Sequence, residues 1–139
     1  MPAVVRPRYA EESGTLADLA AHLLAERIAK YPAIVARAKM TQAEADTAIR
    51  AMRGVADLWR AIVDHAPAPT GCPCCGGASP REQRDTIATA AARTAQIAAA
   101  APGDKDKADY AAATAALLWH AEHRLAAHLH CRGTHAQAA

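Results

Sequence analysis

The amino-acid sequence predicts an all-α fold, a four-helix-bundle-like single domain over residues 1–139. Three observations predict it. Alanine supplies 40 of the 139 residues, and alanine has the highest intrinsic helix propensity. Apolar residues recur at three- and four-residue spacing along four stretches, the period of a helix face. Helix-start signals frame these stretches: Thr41 with Glu44, Ser79 with Pro80 and Glu82, and Asp104. No segment shows a competing strand pattern.

Residues 1–12 read as an arm, because Pro2 and Pro7 interrupt it and no period is present. A helical hairpin is expected over 13–65. Its first helix begins near Ser13 to Thr15, with Ser13 as a cap, and carries Leu16, Leu19, Ala20, Leu23, Leu24 and Ile28 on one stripe. Tyr31-Pro32 is expected to kink or restart it, since proline lacks a donor and its ring clashes with the preceding turn. Ile34, Val35, Ala38 and Met40 continue the apolar face. Thr41 as N-cap and Glu44 at the third helical position form a capping box for the second helix. Its stripe is Ala45, Ile49, Met52, Val55, Ala56, Trp59, Ile62 and Val63, ending near His65.

Residues 66–78 form a loop rich in proline, glycine and cysteine. A second helical hairpin is expected over 79–131. Ser79, Pro80 and Glu82 open its first helix. Only Ile87 and Ile97 are large there, so neighbouring helices must approach over alanines. Pro102-Gly103 ends it. Asp104 caps the last helix, which presents Tyr110, Thr114, Leu117, Leu118, Ala121, Leu125, His128 and Leu129 inward and reaches about Cys131. Gly133 reads as its terminator and residues 136–139 as a tail.

Hydrophobic types make up 52% of the chain, but Leu, Ile, Val, Met, Trp and Tyr together supply only 28 residues and Phe none. Burial free energy scales with apolar area, roughly 25 cal/mol per Å², so the core is thin and calls for a further source of stability. The net charge is +2, from 16 basic and 14 acidic residues, a balance that selects neither an acidic nor a basic partner. No apolar run approaches the ~20 residues of a membrane span, and no signal peptide is recognisable. A cytoplasmic protein with reduced cysteines is the expectation.

Clustered cysteines in such a protein point to metal ligation or catalysis rather than disulfides. Cys72-Pro73-Cys74-Cys75-Gly76 contains C-x-x-C within C-P-x-C-G. It resembles the knuckle half of zinc-ribbon and rubredoxin-like sites, with Cys74 in the variable place, so which two of the three cysteines bind stays open. Tetrahedral zinc takes four ligands. The second pair is expected from Cys131 with His128 or His135. The helix after the loop is about 22 residues, ~33 Å at 1.5 Å per residue, and the last helix returns antiparallel over a short turn. Cys131 therefore comes back to the level of Cys72 and Cys75. Structural zinc contributes on the order of 10 kcal/mol of apparent binding energy in small domains.

Other constellations are less specific. His120, Glu122 and His123 offer a metalloenzyme alternative, although His120 and His123 are three apart and do not form H-E-x-x-H; an ordinary polar helix face explains them as well. His22 and His65 stand alone. Arg27, Lys30, Arg37, Lys39, Arg50, Arg53 and Arg60 on the first two helices suggest a nucleic-acid-binding alternative, with the knuckle contributing. Asp46–Arg50, Arg53–Asp57 and Arg60–Asp64 lie at ion-pair spacing instead, which favours a solvated face. Trp59, Trp119, Tyr31 and Tyr110 read as core anchors. No phosphate loop, serine elbow or paired-carboxylate motif appears.

Residues 24–63 run from Leu-Ala-Glu-Arg-Ile-Ala through Tyr31-Pro32 and Met40-Thr41-Gln42-Ala43-Glu44-Ala45-Asp46 to Ile49 and Met52. This segment resembles one found in small uncharacterised prophage proteins of proteobacteria, which share a Y-P pair, an M-T-x-x-E/K-A start and an I-x-x-M helix. The resemblance covers about 40 residues, implies phage origin and no activity, and leaves out the cysteine half. The expected function is a non-enzymatic, zinc-stabilised interaction module, a phage-encoded accessory or inhibitor of host defence, whose partner is a host protein or a second copy of the chain.

Overall fold

The computed structural model describes the backbone of residues 6–67, 69 and 77–138 and the side chains through residue 126. Within these residues the fold is four helices and no strand: α1 Ser13–Ala36, α2 Gln42–Val63, α3 Pro80–Ala100 and α4 Lys105–Ala138. Sequence neighbours pack antiparallel, α1 on α2 and α3 on α4, and the ring closes through α2–α3 and α1–α4. Diagonal helices meet only through long side chains. Short connections leave antiparallel packing as the available arrangement.

The capping signals operate as the sequence implies, with one difference. Ser79 and Glu82 form the full reciprocal capping box, with Pro80 in the first turn. Asp104 accepts from the Lys107 amide at 3.2 Å. Thr41 accepts from the Glu44 amide at 3.0 Å, but the Glu44 carboxylate takes the Thr41 hydroxyl instead of the Thr41 amide. Ser13 does not cap α1: Glu12 stands at the N-cap without a side-chain bond.

α1 and α2 end without glycine. Ala38 (φ 58°) and His65 (φ 53°) take the left-handed conformation. The Lys39 amide then donates to Ile34 O and the Ala66 amide to Ala61 O, the six-to-one bonds that close a helix end. Two expectations are corrected here. Pro32 does not restart α1, which runs unbroken through it to Ala36; only four helical residues follow, so the one backbone bond that proline forgoes lies near the helix end. Gly133 does not terminate α4, which continues to Ala138 through the expected tail; one glycine costs a helix only about 1 kcal/mol.

The core lies where the leucine-bearing ends of the helices meet. Leu16, Leu19, Leu23, Met52, Val55, Trp59, Ile87, Leu117 and Ala121 are buried together. Small residues fill between them: Ala20 and Ala116 are wholly buried, which allows α4 to approach α1 closely. The predicted stripes of α1, α2 and α3 hold from their starts and fail toward their C-terminal ends. Ile28, Ile62 and Ile97 are 47%, 39% and 42% exposed. The arm is packed: Ala10 is buried, Arg8 pairs with Asp109 at 3.0 Å, and Tyr9 lies against the core. No helix among the described residues is long and apolar enough to cross a membrane.

Candidate functional site

The structure builds a dense junction where the cysteine loop enters α3. Ala78, the last loop residue before the cap, is buried against α2. Gly54 makes this possible, since a Cβ there would stand 2.9 Å from the Ala78 Cβ. Arg50 of α2 reaches across and holds Glu82 with both terminal nitrogens, at 3.0 and 2.5 Å, while also donating to Gly77 O at 2.6 Å. Glu82 is thereby shared between the arginine and the Ser79 amide. The Arg50 hydrogen bond is the largest influence and, with help from the Ser79 amide, holds its carboxyl below the ordinary carboxylate range against the opposing effect of burial.

α4 joins the same junction. Arg124 donates to Gln83 at 3.5 Å and sits 5.8 Å over the Trp59 ring, and Gln83 donates in turn to Ala78 O. Burial lowers the Arg124 pKa. Trp59 packs edge-on against His120 at 4.9 Å. Loop exit, α3 start and the Arg124 turn of α4 are therefore at one level, and α4 runs on for fourteen residues beyond Arg124, about 21 Å at 1.5 Å per residue.

The side chains of the zinc ligands expected from the sequence lie outside the described ones. Cys72 and Cys75, with Cys74, lie outside the described residues. His128, Cys131 and His135 belong to the helical backbone of α4, and their side chains lie outside the described ones. Among the described residues there is no group of three histidine, cysteine or acidic side chains placed to hold a metal ion.

His120, Glu122 and His123 are not brought into one cluster. His120 meets Ala10 O through Nε2 at 2.6 Å, and His123 meets Trp119 O of its own helix through Nδ1 at 2.7 Å. A carbonyl only accepts, so each imidazole donates there. Glu122 is exposed and makes no ion pair among the described residues. The expected helical ion pairs are also replaced. Arg50 pairs with Glu82 rather than Asp46, and Arg60 reaches Asp18 of α1 at 3.9 Å rather than Asp64. Arg53–Asp57 does not form among the described residues. Long arginines on an antiparallel hairpin reach the neighbouring helix as readily as their own next turn.

Sequence reasoning misses Arg27. It was read as part of a basic face, yet it is 7% exposed. Its Nη1 donates to the Thr86 hydroxyl and to Ala48 O at 3.3 Å, and its Nη2 to Thr86 O at 3.0 Å. No carboxylate pairs with it among the described residues, and burial lowers its pKa. Its place in the apolar stripe, four residues after Leu23, was the available signal. No family model, curated protein or solved structure matches this chain.

Proposed function

We propose that this chain is a non-enzymatic, zinc-stabilised helical module for protein–protein interaction, encoded by a phage as an accessory or host-defence-inhibiting factor. Cys72 and Cys75 hold zinc together with Cys131 and either His128 or His135. Thiolate and imidazole ligands in a closed tetrahedral set leave no position for substrate, so the ion serves as a fastener. It acts at the bundle end, in the cytoplasm, and the partner is a host protein or a second copy of the chain.

One observation carries this reading: Gly54–Ala78, Arg50–Glu82–Gly77 and Arg124–Gln83 pin the loop exit and α4 at one level. The described flanks of the cysteine loop, Pro67 and Gly77, and the C-terminal part of α4 then lie at the same end of the bundle. The turn of Arg50 onto Glu82 and of Arg60 toward Asp18, both within the fold, favours this reading over nucleic-acid binding. The separate engagements of His120 and His123 favour it over the metalloenzyme.

The test is elemental analysis of protein purified without chelator. About one zinc per chain is expected, lost in Cys72→Ser, Cys75→Ser and Cys131→Ser and retained in Cys74→Ser. Metal-free wild type contradicts the proposal. Light scattering and affinity capture from a bacterial lysate address the partner. A monomer that recovers no partner and turns over a substrate rejects the interaction reading.

A further inference from the structure

Arg27 separates two cavities of opposite character. On the α2 side, an open groove of about 530 Å³ runs past Met40 and Ala51 and carries Glu44, Glu82 and Asp85. On the α4 side, a pocket of about 240 Å³ lies between α1, α3 and α4. Its charged lining is Glu26, Arg27, Lys30 and Arg93, three cations against one carboxylate. Leu23, Ile34, Ala90 and Ile97 supply apolar wall, and Tyr31, Tyr110, Thr89 and Thr94 supply hydroxyls.

The charge is poorly compensated from within. Glu26 is already shared between Lys30 at 3.5 Å and His22 at 3.3 Å. Arg93 has no carboxylate partner among the described residues. Arg27 uses three of its five guanidinium donors on Thr86 and Ala48, neutral acceptors that line the α2-side groove, so its charge has no carboxylate partner among the described residues. A buried cation without a counter-charge is costly to keep. Tyr110, whose phenol burial and Glu26 push upward, sits where the Arg93 and Arg27 charges are both felt.

We propose that this α1–α3–α4 pocket binds a small organic anion, with its carboxylate or phosphate between Arg27, Lys30 and Arg93 and its apolar body against Leu23, Ile34 and Ile97. The volume suits one ring or a short chain rather than a nucleotide or a peptide. The groove on the α2 side suits such a ligand less: it carries Glu44, Glu82 held by Arg50 and Asp85 held by Arg84, and Arg27 is the one cation among its described lining residues. The site is independent of the zinc end.

Calorimetric titration of the full-length protein with phenyl phosphate tests this, with benzylamine as the cation of similar shape. Phenyl phosphate is expected to bind one site per chain, to raise the melting temperature, and to shift the amide resonances of Thr94 and Tyr110; benzylamine is expected to do none of these. Arg93→Gln, on the exposed face of α3, is expected to weaken binding about tenfold, the effect of one charge-assisted hydrogen bond, with the fold unchanged. Arg27→Met is expected to abolish it. No heat and no shift with phenyl phosphate, equal binding of benzylamine, or undiminished affinity in Arg93→Gln overturns the proposal.

Discussion

Around Leu117 the four helices close on leucine, methionine and tryptophan; around Arg27 the same helices close on a guanidinium between two cavities. The first region is held by burial, the second by hydrogen bonds to helix carbonyls and a hydroxyl. The difference follows from composition. α1 brings Leu16, Leu19 and Leu23 to one end, whereas the other half of α3 offers Ala90, Thr94 and a partly exposed Ile97. Alanine lets backbones approach but fills little volume, so the arginine-bearing half stays hollow. Close packing and cavities thus fall in different regions of one small bundle.

This comparison is broken most severely at Leu117, which is wholly buried. Leu117→Ala is expected to cost about 3 kcal/mol in urea unfolding, the usual cost of an unfilled core cavity. Gly54→Val comes next. Its branched side chain would collide with Ala78, so about 2 kcal/mol is expected to be lost, with the cysteine loop displaced. Arg27→Met sharpens the contrast from the other side. Replacing an unpaired buried charge by an apolar chain is expected to change stability by less than about 1 kcal/mol in either direction, despite the burial of this residue. Ala38→Gly, which relieves a left-handed non-glycine residue, is expected to add about 0.5–1 kcal/mol.

The pH profile separates the junction from the core. The Glu82 carboxyl is depressed below its ordinary value of 4.5 by Arg50 and Ser79. Its contribution is therefore present above that pH and is lost as the pH falls through the folded value. Glu82→Gln is expected to lower the midpoint of urea unfolding at neutral pH and to flatten its acid limb. An unchanged acid limb in the variant would remove Glu82 from the account.

Three helices were legible because each carries its own start signal, Thr41, Ser79 or Asp104, which acts locally and can be read from one sequence; α1 was legible from its period alone. The two corrected boundaries were local costs outweighed by context, one proline near a helix end and one glycine inside a 34-residue helix. The end of α2 was placed near His65, where it falls, but the end of α1 was harder to place, because Ala38 occupies a position where glycine is the usual mark. The junction was not legible. Gly54 looks like an ordinary helix glycine until Ala78 arrives from 24 residues away, and Arg50 was assigned to its own helix when its partner is on α3. Arg27 stood in a stripe of apolar residues, a signal outweighed by its charge and by the other basic residues of the first two helices.

Thermal unfolding of the metal-loaded protein with and without a strong chelator tests the zinc fastening most directly. The account predicts a large fall in melting temperature on chelation, restored by zinc and absent in Cys131→Ser. An identical melting curve with and without chelator contradicts it.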